Sequence, residues 1–246
     1  MKVLLHGIGG RMGKEVTRRL MDGYKDAVLV AGVDGFGAEA PVPCYKTFDA
    51  VTEDVDCVID FSHHSLTEGL LTFCKAKKLP VVIATTGQTE EEQALIAAAA
   101  KEIPVFFSKN MSVGIALLCE LAKTTAATFP DADIEIVETH HNRKLDAPSG
   151  TALMLAEAIQ SVRKGLRRVL GRSGMEKRDK NDIGIHAIRM GNVIGRHEVI
   201  VGTDSQTITL THEAHDRALF AEGAVTAGLF LLGKPAGFYT MQDMVK

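Results

Sequence analysis

The chain has 246 residues, 46% of them hydrophobic, which is enough to bury a substantial core in one large or two small domains. Its formal net charge of −3 lacks the basic excess of nucleic-acid-binding domains, so we expect a small-molecule ligand and no nucleic-acid partner. The four cysteines form no Cys-x-x-Cys pair, and no apolar run reaches the roughly 18 residues of a membrane span, which predicts reduced thiols, no membrane association and a cytoplasmic location.

Short apolar runs alternate with amphipathic segments through the first 110 residues. This alternation is typical of βαβ units that build a parallel sheet. Thr89 and Glu92 have the spacing of a capping box, which predicts a helix over 89–102. The predicted strands are 3–5, 28–33, 55–59, 81–84 and 105–107.

The pattern changes after residue 110. Ser112 and Ser149 are predicted to start helices, and the apolar segment 217–232 is a further helix that packs back on the first domain. Residues 163–182 carry eight Lys or Arg and are predicted to form a long loop, either a mobile solvated surface or a lid over an anionic ligand. The predicted strands are 133–140, 183–189, 197–202 and 206–212, which favours an α+β domain with an antiparallel or mixed sheet.

A glycine-rich turn, Gly7-Ile8-Gly9-Gly10-Arg11-Met12-Gly13, follows the first predicted strand and opens a helix. Its spacing is Gly-x-x-Gly-x-x-Gly, which departs from the common Gly-x-Gly-x-x-Gly fingerprint. Glycines allow backbone N–H groups to approach a pyrophosphate, and the helix N-terminus offers unpaired donors. The context therefore predicts a dinucleotide site, with a plain strand-to-helix turn as the alternative.

Asp34 follows the second predicted strand, about 20 positions after the loop, where an acidic residue binds ribose hydroxyls. A carboxylate there repels a 2′-phosphate, and Gly35 supplies no neighbouring cation. The sequence therefore predicts a preference for NADH. NADPH stays possible because Arg11 could reach round the loop.

The densest polar cluster lies in residues 138–151, between a strand end and a helix start. Lys144 and His141 can add charge-assisted hydrogen bonds, and His140 can supply a proton because imidazole titrates near neutral pH. Adjacent strand residues point to opposite faces, so we expect no metal shared by the two histidines and no metal site elsewhere. The donors at the helix start, where a carboxylate binds well, are Ser149, Gly150 and Thr151.

The whole chain resembles the 4-hydroxy-tetrahydrodipicolinate reductase (dihydrodipicolinate reductase) family of the diaminopimelate route to lysine. The most specific match is the run Glu-x-His-His-x-x-Lys-x-Asp-Ala-Pro-Ser-Gly-Thr at 138–151. The other matching segments are the glycine loop, the loop 84–87, the junction 108–114, and the run with Arg189, Gly191, Gly195 and His197.

This resemblance implies an α/β chain with two domains. Residues 1–110 plus 217–246 are expected to form a Rossmann-like, doubly wound parallel sheet that binds the dinucleotide. Residues 111–216 are expected to form a second, α+β domain with a mixed or antiparallel sheet, which binds the substrate and assembles a homotetramer. Hinge closure between the domains is also implied.

The resemblance further implies the site residues. His140 is the expected acid with Lys144 as its partner. The substrate is expected to contact His141, Lys144, Ser149, Gly150 and Thr151. The cofactor is expected to contact Gly7, Ile8, Gly9, Gly10, Arg11, Met12, Gly13, Asp34, Ala84, Thr85, Thr86, Gly87, Ser108, Asn110 and Met111.

The implied reaction transfers hydride from the nicotinamide to C4 of the unsaturated dicarboxylate ring that forms when 4-hydroxy-tetrahydrodipicolinate loses water. Two other classes stay open on the residues alone. A dehydrogenase of similar plan acting on an aldehyde or sugar would need its own nucleophile or base. A non-catalytic nucleotide-sensing module would have no need of His140 and Lys144.

Overall fold

The computed structural model describes residues 1–245, which form two compact units. The first unit comprises Met1–Ser112 and Ala218–Met244, and the second comprises Val113–Arg217. The strands are β1 (Lys2–His6), β2 (Val28–Val33), β3 (Cys44–Tyr45), β4 (Cys57–Asp60), β5 (Val81–Ile83), β6 (Pro104–Phe107), β7 (Asp133–His140), β8 (Arg167–Leu170), β9 (Asp182–Arg189), β10 (Gly195–Gly202), β11 (Thr207–Ala214) and β12 (Gly237–Tyr239). The helices are α1 (Arg11–Met21), α2 (Thr67–Lys77), α3 (Glu90–Ala99), α4 (Val113–Thr128), α5 (Gly150–Val162), α6 (Ala218–Leu231) and α7 (Met241–Val245). Within residues 1–245 no helix is long and apolar enough to cross a membrane.

The sheet of the first unit has seven strands in the order β3-β2-β1-β4-β5-β6-β12, and every pairing is parallel. The predicted Rossmann-like, doubly wound sheet is thereby confirmed. The chain order reverses between β1 and β4, and in such sheets a crevice opens outside the carboxyl ends of the strands at that point. The edge strands β3 and β12 were not predicted, because runs of two and three residues carry too little periodicity to detect.

Central strands of this sheet are buried on both faces. Val3, Leu4 and Leu5 of β1 have no exposed surface, as expected of a parallel sheet covered on both sides by helices. α3 begins at the predicted capping box, with the Thr89 side chain bonded to the Glu92 N–H and the Glu92 carboxylate to the Thr89 N–H. The start of α3 is therefore well predicted by a local sequence signal.

α6 packs within the first unit, against α1 and the strands β4, β5 and β6. Gly223 makes this approach possible, because the carbonyl oxygen of Met111 occupies the space that a Cβ would need. The predicted packing of the carboxyl-terminal helix on the first domain is thus observed, and it depends on a glycine in a helix interior.

The second unit contains a mixed sheet in the order β11-β10-β7-β9-β8. β10 is antiparallel to β11 and β7, whereas β9 is parallel to β7 and β8. Alternate residues of β7 are buried, and Ile134 and Ile136 pack with α4 and α5. Glu138 and His140 continue this buried row, so both side chains lie on the face of the sheet that the helices cover.

The segment 163–182 corrects one expectation. It is not a continuous loop, because β8 lies within it and pairs along β9. Its arginines are held by acidic side chains: Arg167 and Arg172 bind Asp182, and Arg178 binds Asp133. An edge strand stabilised by ion pairs has no apolar periodicity, which explains why the sequence pattern did not reveal it.

Gly223→Ala tests how tightly α6 packs against the Met111 backbone. The added methyl group would collide with a carbonyl that cannot rotate away, so we expect a loss of about 1–3 kcal/mol in the free energy of unfolding. Gly69→Ala is the matched control, since that helical glycine has open space around it and alanine should stabilise it by about 0.5–1 kcal/mol. Urea unfolding measures both changes, and equal effects would contradict the packing.

Candidate active site

The turn after β1 is shaped by contacts between backbone groups. Gly7 has a φ of +79°, and its N–H donates to the carbonyl of Val33 at 2.8 Å. A Cβ on Gly7 would lie 2.7 Å from the carbonyl oxygen of Phe61, and the Gly7 carbonyl fills the space beside Gly13. Glycine is therefore required at both positions for the loop to fold under the start of α1.

The start of α1 is suited to an anion. Its N-cap residue Gly10 provides no side-chain cap, and the first turn contains no acidic residue. The N–H groups of Arg11, Met12 and Gly13 therefore face outward from a positive helix end. Ile8 is buried and packs over Gly32, so it anchors the loop.

Asp34 closes the other side of this loop. Its Oδ2 accepts a hydrogen bond from the Gly9 N–H at 3.0 Å, and its Oδ1 accepts one from the Phe36 N–H at 3.1 Å. A cleft of about 1140 Å³ opens beside this carboxylate. Its lining includes Gly7, Gly9, Gly10, Lys14, Asp34, Gly35, Phe36, Phe61 and Ser62.

The other predicted cofactor residues lie at the same edge of the sheet. Ala84 to Gly87 follow β5, and Ser108, Asn110 and Met111 follow β6; parallel strands bring these ends together with Gly7 and Asp34. Thr85 points inward and donates to Asp60 Oδ2 at 2.6 Å, whereas Thr86 and Gly87 are exposed. Ser108 Oγ donates to the Asn110 carbonyl at 2.7 Å, and Met111 is buried.

Glu138 is the centre of the polar cluster in the second unit. Its side chain is completely buried and forms four hydrogen bonds. His140 Nδ1 lies 2.5 Å from Oε2, Arg189 donates to both oxygens at 2.9 and 2.8 Å, and the Ser149 N–H donates to Oε1 at 3.0 Å. Although burial raises the pKa of Glu138, these hydrogen bonds lower it to about 2, so the group stays a carboxylate.

The start of α5 lies beside this carboxylate. Ser149 is the N-cap, and its Oγ accepts a hydrogen bond from the Ala152 N–H and lies 3.2 Å from His197 Nε2. Gly150 is exposed and Thr151 is half-buried in the first helical turn. Burial, followed by the charge of His140, lowers the pKa of His197 to about 4, so this imidazole is neutral at pH 7.

The loop between β7 and α5 carries the remaining predicted residues. Lys144 Nζ forms an ion pair with Asp146 Oδ1 at 2.8 Å, while its backbone N–H donates to the His141 carbonyl. Burial and the charge of Arg143 lower the pKa of His141, so it offers a neutral ring at pH 7. Arg143 itself is exposed and bonds to Asn192.

Two of the residues nearest His140 come from other strands. Arg189 lies on β9, and His197 lies on β10 with its ring centroid 5.1 Å from that of His140. Both residues lie in a run shared with the family, but that run gave no role to them, and none was predicted for Glu138 from the sequence. The alternation of β7 was the available signal for Glu138, because residues two apart in a strand share a face.

The sheet order, the glycine-lined cleft and the carboxylate-histidine cluster define an oxidoreductase with a dinucleotide-binding unit. Models of the dihydrodipicolinate reductase N-terminus and C-terminus match residues 1–111 and 114–245. A 4-hydroxy-tetrahydrodipicolinate reductase from Caldanaerobacter subterraneus subsp. tengcongensis is 46% identical over 100% of this chain and 98% of its own length. That of Clostridium tetani is 42% identical over 100% of this chain and 97% of its own. The dipicolinate-bound dihydrodipicolinate reductase from Paenisporosarcina sp. TG-14 superposes with a TM-score of 0.85 and 26% identity over 99% of both chains.

The chain belongs to the dihydrodipicolinate reductase family, which confirms the resemblance noted from its motifs. It is therefore an oxidoreductase of lysine and diaminopimelate biosynthesis that works with a nicotinamide cofactor. An aldehyde or sugar dehydrogenase and a nucleotide-sensing module are both set aside by this membership.

His197 predicts a specific dependence of stability on pH. Its pKa is about 4 in the folded protein against an ordinary 6.5, so between these values the unfolded chain binds a proton that the folded chain does not. The free energy of unfolding should therefore fall as the pH is lowered from about 6.5 to about 4, by about 3 kcal/mol from this residue. His197→Asn should remove that share of the fall, measured by urea unfolding at each pH. The exposed His63→Asn is the control, and an identical fall in both variants would contradict the assignment.

Proposed function

We propose that the second unit binds the dicarboxylate substrate, 4-hydroxy-tetrahydrodipicolinate, and that the first unit binds the nicotinamide. This division of roles rests on one observation: His140 and the N-terminus of α5 both bond to the buried carboxylate of Glu138. A proton donor and an anion site are thereby held side by side. The solved relative from Paenisporosarcina has dipicolinate bound. Dipicolinate is a dicarboxylate, as this substrate is.

The first unit fits a dinucleotide. A pyrophosphate is expected on the N–H groups of Arg11, Met12 and Gly13, which follow Gly10 at the start of α1, and the ribose on Asp34. Ile8, Gly7 and Gly9 shape the loop beneath it. The bound cofactor supplies the hydride. Ala84, Thr85, Thr86, Gly87, Ser108, Asn110 and Met111 form the rest of the proposed contact edge.

In the second unit one substrate carboxylate is proposed to bind the N–H groups at the start of α5. Gly150 is exposed and Thr151 is half-buried at this helix start, and Ser149 provides the cap that fixes the direction of the first turn. Lys144 adds the positive charge that a dianion requires, by exchanging its contact with the exposed Asp146 for the substrate. His141 contributes a hydrogen bond as a neutral ring.

His140 is proposed to be the acid. When the conjugated imine of the dehydrated substrate accepts a hydride, negative charge develops on the substrate ring. A proton from His140 neutralises that charge. Such general acids contribute about 10²–10⁴-fold in rate. Lys144 supports the same charge, so it acts on both binding and turnover.

Two further proposals concern assembly, which rests on the family likeness, and the choice of cofactor, which rests on Asp34. We infer that the chain assembles as a homotetramer through the sheet of the second unit. We also infer that NADH is preferred over NADPH, because Asp34 presents its carboxylate at the ribose position and the next residue is Gly35, which carries no charge.

His140→Ala tests the acid. Removing the proton donor leaves the anion site intact, so kcat should fall about 10²–10⁴-fold with little change in the KM for the substrate. Lys144→Ala should lower kcat and raise KM together, since the lysine charge stabilises both the bound substrate and the transition state. Steady-state kinetics with freshly generated substrate measures both, and the exposed His215→Ala is the control. Small, equal losses of kcat in the His140 and His215 variants would remove His140 from the reaction.

Asp34→Ala tests the cofactor preference. Loss of the carboxylate removes a ribose contact for NADH and the repulsion of the 2′-phosphate, so the NADPH-to-NADH ratio of kcat/KM should rise at least tenfold. Glu39→Ala, on the rim of the same cleft, should change that ratio much less. A wild-type enzyme whose kcat/KM favours NADPH tenfold or more would overturn the preference.

A further inference from the structure

Glu138 forms more hydrogen bonds than an ion pair with an arginine alone would provide. Its two oxygens receive four hydrogen bonds, and the side chain has no exposed surface. Arg189 neutralises the charge through paired contacts to both oxygens, which is the geometry that makes a buried carboxylate tolerable. The two remaining hydrogen bonds, from His140 and from the Ser149 N–H, lead directly to the proposed site.

The carboxylate joins three separate pieces of chain. His140 is the last residue of β7, Ser149 is the N-cap of α5, and Arg189 ends β9. Arg189 also donates to the carbonyl of Asp146 at 2.6 Å, which ties the intervening loop to the same group. Loss of this carboxylate would therefore disturb the position of the imidazole relative to the helix start.

The hydrogen bond to Glu138 also decides which nitrogen of His140 carries a proton. A carboxylate with a pKa of about 2 has no proton to donate near pH 7, so the shared hydrogen belongs to Nδ1. Nε2 is then the nitrogen that gains and loses a proton. A Cβ at Gly195 would lie 3.1 Å from Nε2, so the absence of a side chain at that residue leaves room beside this atom.

We propose that Glu138 is a positioning residue for the reduction: it holds His140 as the Nδ1–H form, so that Nε2 delivers the proton beside the N-terminus of α5. This inference rests on the proposed role of His140. As hydride adds to the substrate ring, the bond between Nε2 and its proton breaks and that proton passes to the substrate. His140 is left neutral with its hydrogen on Nδ1, Glu138 stays ionised throughout, and water returns a proton to Nε2.

Glu138→Gln tests the proposal with the full-length enzyme. We expect kcat at pH 8 to fall at least 100-fold while dipicolinate binding weakens less than about fivefold, as for orienting carboxylates beside catalytic histidines. In the Glu138→Gln enzyme the neutral His140 ring should no longer be held in the Nδ1–H form. Glu138→Asp, which keeps the charge, should retain that form with a reduced kcat. Glu135→Gln is the control, because Glu135 lies on the same strand and binds His186, and its loss should leave the ring form of His140 unchanged.

Nitrogen-15 NMR of the His140 ring supplies a readout that needs no variant to fold. Neutral His140 in the wild type should carry its hydrogen on Nδ1, and finding it on Nε2 would overturn the proposal. A Glu138→Gln enzyme that loses activity while the ring form of His140 stays unchanged would show a structural role alone and would also overturn the proposal. A different result would show that His140 is not the acid. In that case His140→Ala would keep the full kcat, whichever nitrogen of the wild-type ring carries the hydrogen.

Discussion

A single buried negative charge is the constraint on which the second unit depends. Moving a carboxylate out of water is unfavourable by several kcal/mol unless other groups replace its hydration, and Glu138 obtains that replacement from a guanidinium, an imidazole and a backbone N–H. Each of these donors belongs to a different part of the fold. The need to satisfy one charge therefore fixes the end of β7, the start of α5 and the end of β9 relative to each other, and the first two carry proposed substrate contacts.

The proposed cofactor site of the first unit is built differently. It lies at one edge of the sheet, where the carboxyl ends of the parallel strands meet. Its residues are selected by small size and by backbone donors more than by charge: Gly7 and Gly13 are needed because carbonyl groups lie where a Cβ would stand. Asp34 is the exception, and its hydrogen bond to the Gly9 N–H orders the loop while its charge faces the cleft. One side chain thus combines loop structure with the proposed choice of cofactor.

Local patterns in the sequence were sufficient for most of the fold. The apolar run 28–33 coincides with β2, and the capping serine at 149 coincides with the start of α5, because burial and capping are properties of neighbouring residues. β8 was missed because it is an edge strand held by arginine ion pairs to acids elsewhere in the chain. The contact between Glu138 and Arg189 was missed for a related reason: it joins positions 51 residues apart, and only the register of β7 with β9 brings them together. The polar cluster could be located from its sequence, whereas the contacts between its members depend on how the strands pair in the sheet.

The most direct test is a crystal structure of this enzyme with both dipicolinate and NADH bound. We expect one dipicolinate carboxylate on the N–H groups at the start of α5, its ring beside His140 Nε2, and the nicotinamide C4 within about 3.5 Å of that ring. We also expect Glu138 to keep all four of its hydrogen bonds in the complex. Dipicolinate bound away from α5, or rings held in pockets that never meet, would show that the cluster around Glu138 is not the substrate site.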